Sequence, residues 1–207
     1  MANRRGFSLT EVLVSMAIMG ILAAVTWVDL TRSAQMDQLN TALRVLAGDL
    51  RSIQSRALSV ENIKSCLNAS GKELVCEQSR VGCVGACAAI PPSAFGINIR
   101  SNSSTYDLFA EVEPSTADYL QTSSAEVFLT RDLAKSGATN VIISALSLAS
   151  PSNVAFQRQN GTMVINGCNI STGCLSPIAL TITLKQTKIN VTKTILLNAY
   201  TGRIAIQ

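Results

Sequence analysis

Residues 4–28 read RRGFSLTEVLVSMAIMGILAAVTWV, and the rest of the chain is organised around them. Two arginines and a glycine precede 22 residues, 7–28, that hold one charge, Glu11. At about 1.5 Å rise per residue, some twenty apolar residues in a helix match the roughly 30 Å hydrocarbon core of a bilayer. A secretory signal peptide has a shorter apolar region, about 7–15 residues, and ends in a small-residue cleavage site. Here the glycine comes before the apolar run. A carboxylate inside the run also costs at least about 2.5 kcal/mol if it stays charged in lipid, and an ordinary anchor has no use for it. Arg4 and Arg5 stand before the span and the next basic residue is Arg32, so the positive-inside bias predicts a cytoplasmic start and an exported remainder.

The stretch Gly6-Phe7-Ser8-Leu9-Thr10-Glu11, followed by VLVSMAIMGILAAV, resembles the type III signal of prepilins. The resemblance implies cleavage by a prepilin peptidase between Gly6 and Phe7, and methylation of the new Phe7 amine by the same enzyme. It further implies that Glu11 pairs in the assembled filament with the free Phe7 amine of a neighbouring subunit. Cleavage makes physical sense on those terms, because it creates an amine at membrane depth and removes the leader arginines. Many major pilins carry a proline about 20 residues into the mature chain; TWVDL here has none, so the helix melting known in some pili has no proline to start it.

Beyond the span, Leu39, Leu43, Leu46, Leu50, Ile53 and Ala57 recur at steps of four and three. That spacing is one stripe along an amphipathic helix. Asp37, Arg44, Asp49, Arg51 and Arg56 fall off the stripe and are expected to face water. The predicted helix runs over 7–64, roughly 80–90 Å, its first part in lipid or a filament core and its second against a globular domain.

The chain has 207 residues, a net charge of +4, six cysteines and no histidine. Loss of Arg4 and Arg5 with a leader at 1–6 lowers the charge to +2, too little to imply nucleic-acid binding by itself. Charged residues are 14% of the chain and mean hydropathy is +0.30, both shaped by the N-terminal span. Cys66, Cys76, Cys83, Cys87, Cys168 and Cys174 are an even set in an exported, disulfide-permissive context. Six cysteines allow 15 connectivities, and sequence alone does not choose among them. Closeness along the chain favours Cys83 with Cys87 and Cys168 with Cys174, leaving Cys66 with Cys76. A structural zinc would need four of these thiolates at irregular spacing, with no CxxC pair and no histidine, so no metal is assigned.

Between 65 and 92 the composition shifts to Cys, Gly, Ala and Pro, which predicts a cross-linked loop with one short strand at 73–76. From residue 95 onward, nine short β-branched or aromatic runs follow: FGINIR, YDLFAEVE, EVFLTR, NVIISAL, NVAFQR, TMVIN, ALTITLK, NVTKTILLN and GRIAIQ. In 179–185, Leu180, Ile182 and Leu184 alternate with Thr181, Thr183 and Lys185, the mark of an antiparallel sheet with one buried face. Asn160-Gly161 predicts a tight hairpin turn, and 117–124 reads as a loop or short helix. Ala94-Phe95-Gly96-Ile97-Asn98-Ile99, Thr105-Tyr106-Asp107-Leu108-Phe109-Ala110, 154–161 and the closing 197–204 resemble, in order, strands of GspH/FimT-type pseudopilin domains. The expected fold is α+β and type IV pilin-like. A leader occupies 1–6, a membrane and assembly segment 7–28 and an amphipathic segment 29–64. A disulfide-linked β-rich domain fills 65–207.

Without histidine, no Ser-His or Cys-His nucleophile pair can be built. Glu111 and Glu113 merely share a strand face, Asp118 lies nearby, and no phosphate loop or EF-hand spacing occurs. The residues therefore point to self-association, with no catalytic residue, cofactor or metal assigned. The expected product is a bacterial inner-membrane, single-pass subunit of a pilus or type II secretion system. Its partners would be the prepilin peptidase and methyltransferase and other pilin or pseudopilin subunits. FimT-like members bind DNA, which makes Lys185, Lys188, Lys193 and Arg203 candidate DNA contacts, all placed after Asp132, the last acidic residue. Four charges give only weak, salt-sensitive binding.

Overall fold

The computed structural model describes residues 8–69, 73–76, 83–112, 119–121, 126–148, 150–167 and 179–207. Helix α1, Leu9–Leu58, runs unbroken for 50 residues. Its second half buries Leu39, Ala42, Leu43, Leu46, Ala47, Leu50, Ile53 and Ala57, which includes every position of the periodic stripe. Leucines and small alanines share this face, so the strands approach the helix closely. Each fully buried leucine contributes about 1.5–3 kcal/mol relative to exposure.

The helix stops earlier than its pattern suggests. Ser59 caps it, Val60 adopts φ 56°, and the Glu61 N–H donates to the Arg56 carbonyl at 3.3 Å. This is a Schellman closure with a β-branched residue in the left-handed position usually taken by glycine. The predicted extension to residue 64 is thereby corrected: Ile63 to Leu67 form strand β1, and Ile63 is buried. Asp49 also departs from expectation, since it is turned to the domain instead of water. Its carboxylate accepts from the Tyr106 hydroxyl at 2.8 Å and from Arg131 Nε at 3.2 Å.

Two antiparallel sheets pack on α1. The first takes β4 (Ala94–Ile99), β5 (Thr105–Glu111), β6 (Val127–Asp132), β8 (Ser152–Gln157) and β9 (Met163–Ile165), in the order β6-β5-β4-β8-β9. The second takes β7 (Val141–Leu146), β10 (Ala179–Gln186), β11 (Val191–Asn198) and β12 (Arg203–Ile206), in the order β12-β11-β10-β7. All nine predicted strands are present. In β10 the alternation is exact to the residue: Leu180, Ile182, Leu184 and Gln186 are buried, their neighbours half-buried. Gln186 is polar on that buried face because its amide donates to Gln35 at 2.6 Å and Gln38 at 3.0 Å on α1. One core joins the helix stripe to both sheets, with Phe95, Ile97, Leu108, Phe156, Ile182 and Ile195 among its members.

Gly96 is fixed by close approach. A Cβ there would fall 2.3 Å from Phe109 Cζ and 2.9 Å from the Val154 carbonyl, so the aromatic ring occupies the space a side chain would need. The β8–β9 hairpin turns where expected, but its left-handed residues are Gln159 (φ 73°) and Gly161 (φ 63°), in a loop wider than a two-residue turn.

The cysteine-rich segment is more ordered than the predicted loop. β1 pairs with β2 (Glu73–Val75) on one side and β3 (Ala88–Ile90) on the other, giving a small antiparallel sheet. Disulfides Cys66–Cys83 and Cys76–Cys87 tie it together, with Cα separations of 5.6 and 6.4 Å. The expected Cys66–Cys76 and Cys83–Cys87 pairs are therefore corrected. The Sγ atoms of Cys66, Cys76 and Cys83 lie within 4.8 Å of one another, so distance along the chain is no guide to pairing here. Cys168 and Cys174, like most of 117–124, lie outside the described residues.

Candidate functional site

The first half of α1 is the feature the fold leaves unused. Every described residue from Ser8 to Ala34 is exposed, against complete burial at Leu39. Leu13, Met16, Met19, Leu22, Trp27 and Leu30 are more than half exposed, on all sides of the helix. Its most apolar 18-residue window has a mean hydropathy of 2.0, long and apolar enough to cross a membrane. A bare apolar cylinder of this size is not stable in water and needs a lipid or protein surround.

The few polar groups on that cylinder are mostly satisfied from within. Ser15 Oγ donates to the Val12 carbonyl at 2.9 Å, Thr26 Oγ1 to Leu22 and Ala23 at 3.0 Å, and Thr31 Oγ1 to Val28 at 2.8 Å. Such back-bonding hides hydroxyls from an apolar surround. Glu11 is the exception. It is the sole charged residue between Ser8 and Val28, lies in the first helical turn and is exposed.

Its setting shows a role that motif reading passed over. Ser8 is the N-cap, with φ −73° and ψ 149°, and its Oγ accepts from the Glu11 N–H at 3.3 Å. Ser8 Oγ also shares a hydrogen bond of 2.8 Å with Thr10 Oγ1. Ser8-Leu9-Thr10-Glu11 thus has the S-x-x-E spacing of a capping box, a signal present in the sequence. A carboxylate here also complements the positive end of the helix dipole. Gly6 and Phe7, the expected cleavage and methylation residues, lie outside the described residues.

The four candidate DNA contacts do not form one patch. Lys185 and Lys188 sit at the β10–β11 end nearest Gln35, Lys185 half-buried and Lys188 exposed. Lys193 pairs with Leu184 on the helix-facing side and donates to Asn40 at 2.8 Å. Arg203 pairs with Asn198, whereas Lys185 pairs with Thr192, six residues back along β11. That is about 20 Å away at strand rise.

Residues 1–27 match the family described as the prokaryotic N-terminal methylation motif. No curated protein and no solved structure matches the chain. The matched residues contain Glu11 and the start of the exposed helix, and they end one residue before Val28. Motif and apolar helix together fit a membrane-anchored pilin.

Proposed function

We propose that this chain, a type IV prepilin-like protein, is a minor pilin or pseudopilin of a type IV pilus or type II secretion system. Its leader, 1–6, is cut between Gly6 and Phe7, Phe7 is N-methylated, and the exported subunit stays in the inner membrane until it enters a filament. Its role is structural. The observation that supports this most is the division of one helix into an exposed apolar half and a half buried against the domain. The β-rich domain is read as GspH/FimT-type on its ordered strand resemblances. DNA stays outside the proposal, since four cations spread over two faces give no continuous groove for a phosphate backbone.

In the filament, Glu11 meets the methylated Phe7 amine of a neighbour. An uncompensated carboxylate in apolar surroundings costs several kcal/mol, and an ammonium supplies both charge and donors. The capping box makes the choice of variant matter. Glu11→Gln keeps an N3 side chain able to close the box but removes the charge; Glu11→Val removes both. Both should insert and be processed, and mass spectrometry should find N-methylated Phe7 at the mature start. Both should also be lost from sheared filaments and from crosslinks to partner pilins. A Glu11→Gln subunit that enters filaments as wild type does would sink the pairing mechanism. A mature start near Ala23 or Ala24 would sink the assignment itself.

A further inference from the structure

A cleft of about 410 Å³ lies between the cysteine-linked sheet and the ends of the three central strands, β5, β4 and β8, of the five-stranded sheet. Glu73 and Ile90 line it from the first, Ser93, Val112 and Arg158 from the second, and Pro91 and Pro92 from the link between them. It is at the far end of the domain from the exposed helix, because Gln159, next to Arg158, donates its N–H to the carbonyl of Ala57 in the last turn of α1. Its size falls in the range of small-molecule sites.

Two polar atoms in its walls are buried without a hydrogen-bond partner among the described residues: Glu73 Oε2 and Arg158 Nε. They are opposite in sense, a carboxylate acceptor and a guanidinium donor, yet they are not paired with each other among the ion pairs of the described residues. Leaving such groups without a partner is unfavourable, and more so when they are charged. A lone anion in the cleft would satisfy Arg158 and be repelled by Glu73; a lone cation meets the reverse. One ligand suits both walls only if it carries an acceptor and a donor at its two ends.

We infer that this cleft binds an α-amino-acid unit with an apolar side chain, its ammonium on Glu73, its carboxylate on Arg158, and its side chain against Ile90, Pro91, Pro92 and Val112. Prolines suit such a wall, since they are apolar, conformationally fixed and offer no competing N–H. The same chemistry is available from a free amino acid or from a very short peptide, which the ends of the cleft would hold further apart. The inference is independent of filament assembly, which uses the opposite end of the molecule.

The full-length chain in detergent micelles, titrated calorimetrically, tests it. The probes are L-leucine, the dipeptide Leu-Leu, isocaproate, which lacks the ammonium, and isoamylamine, which lacks the carboxylate. L-leucine or Leu-Leu should bind at least about tenfold more tightly than either singly charged analogue, as expected for loss of a charged hydrogen bond. Tighter binding of leucine identifies the free amino acid as the ligand, tighter binding of Leu-Leu a short peptide. Glu73→Gln and Arg158→Gln, each checked for unchanged circular dichroism, should weaken the better probe by a similar factor. No binding of either zwitterion, or isocaproate binding as well as leucine, overturns the inference. So does full affinity in Glu73→Gln.

Discussion

Tyr106 is buried to 1% exposure, and its hydroxyl is spent on one carboxylate, Asp49 of the helix. Burial, then the Asp49 charge and its hydrogen bond, raise the Tyr106 pKa far above its ordinary value; Arg131 works weakly the other way. A folded pKa above the unfolded value of about 10 means stability that is complete below pH ~10 and lost as pH rises past it. Melting temperature measured from pH ~8 to ~11.5 should therefore fall more steeply for wild type than for Tyr106→Phe above pH ~10. At neutral pH the same variant should lose about 1.5–3 kcal/mol, the worth of a hydrogen bond to a charged group. Parallel pH curves would show that the phenol is not held neutral by the fold. Sequence alone did not expose this pair. Asp49 lies off the apolar stripe, and an off-stripe carboxylate meets water or a strand according to where the sheet edge falls.

Among the elements, the helix and the nine later strands were legible because period 3.6 and period 2 are written in residue type. The helix end was not, because its left-handed closing residue is Val60 and neither glycine nor proline marks the stop. Ile63 then leaves the helix to pair with Ile90. The cysteine sheet was read as a loop for a different reason: Ala, Gly and Cys carry too little contrast to show alternation, and two crossed bridges hold what side-chain burial does not. Peptide mapping without reduction should find Cys66–Cys83 and Cys76–Cys87, and neither Cys66–Cys76 nor Cys83–Cys87. Cys66→Ser with Cys83→Ser should cost about 3 kcal/mol, the chain-entropy figure for a loop of this order. Recovery of the neighbour pairs instead would mean a different strand order in the sheet.

At the scale of the molecule, the membrane-directed end is the part most fully legible, since bare apolar length and one carboxylate suffice to announce it. The far cleft needed coordinates, because it depends on atoms brought together by the fold; the cap at Ser8 is local and was legible in its S-x-x-E spacing. Lys193 illustrates the limit on the basic residues: a cation on a strand near the chain's end was expected at a surface and instead holds Asn40 of the helix.

The buried stripe has a mechanical meaning. From Leu39 to Ala57 it runs parallel to the helix axis for about 27 Å. Tension applied through the exposed half of α1, and resisted at the far end of the domain, loads the whole stripe in shear. Its eight buried side chains must then yield together. Gly202 lies beside Gln54 at that far end, whereas Gln207 pairs with Thr194 close to the Lys193–Asn40 contact at the near end. A handle at Thr201 therefore shears the seam, and one at Gln207 peels edge strand β12 pair by pair. In force spectroscopy at one loading rate, the Thr201 handle should rupture at clearly higher force, because forced opening follows the barrier to unfolding. Equal forces from the two handles would mean that the stripe does not carry the load.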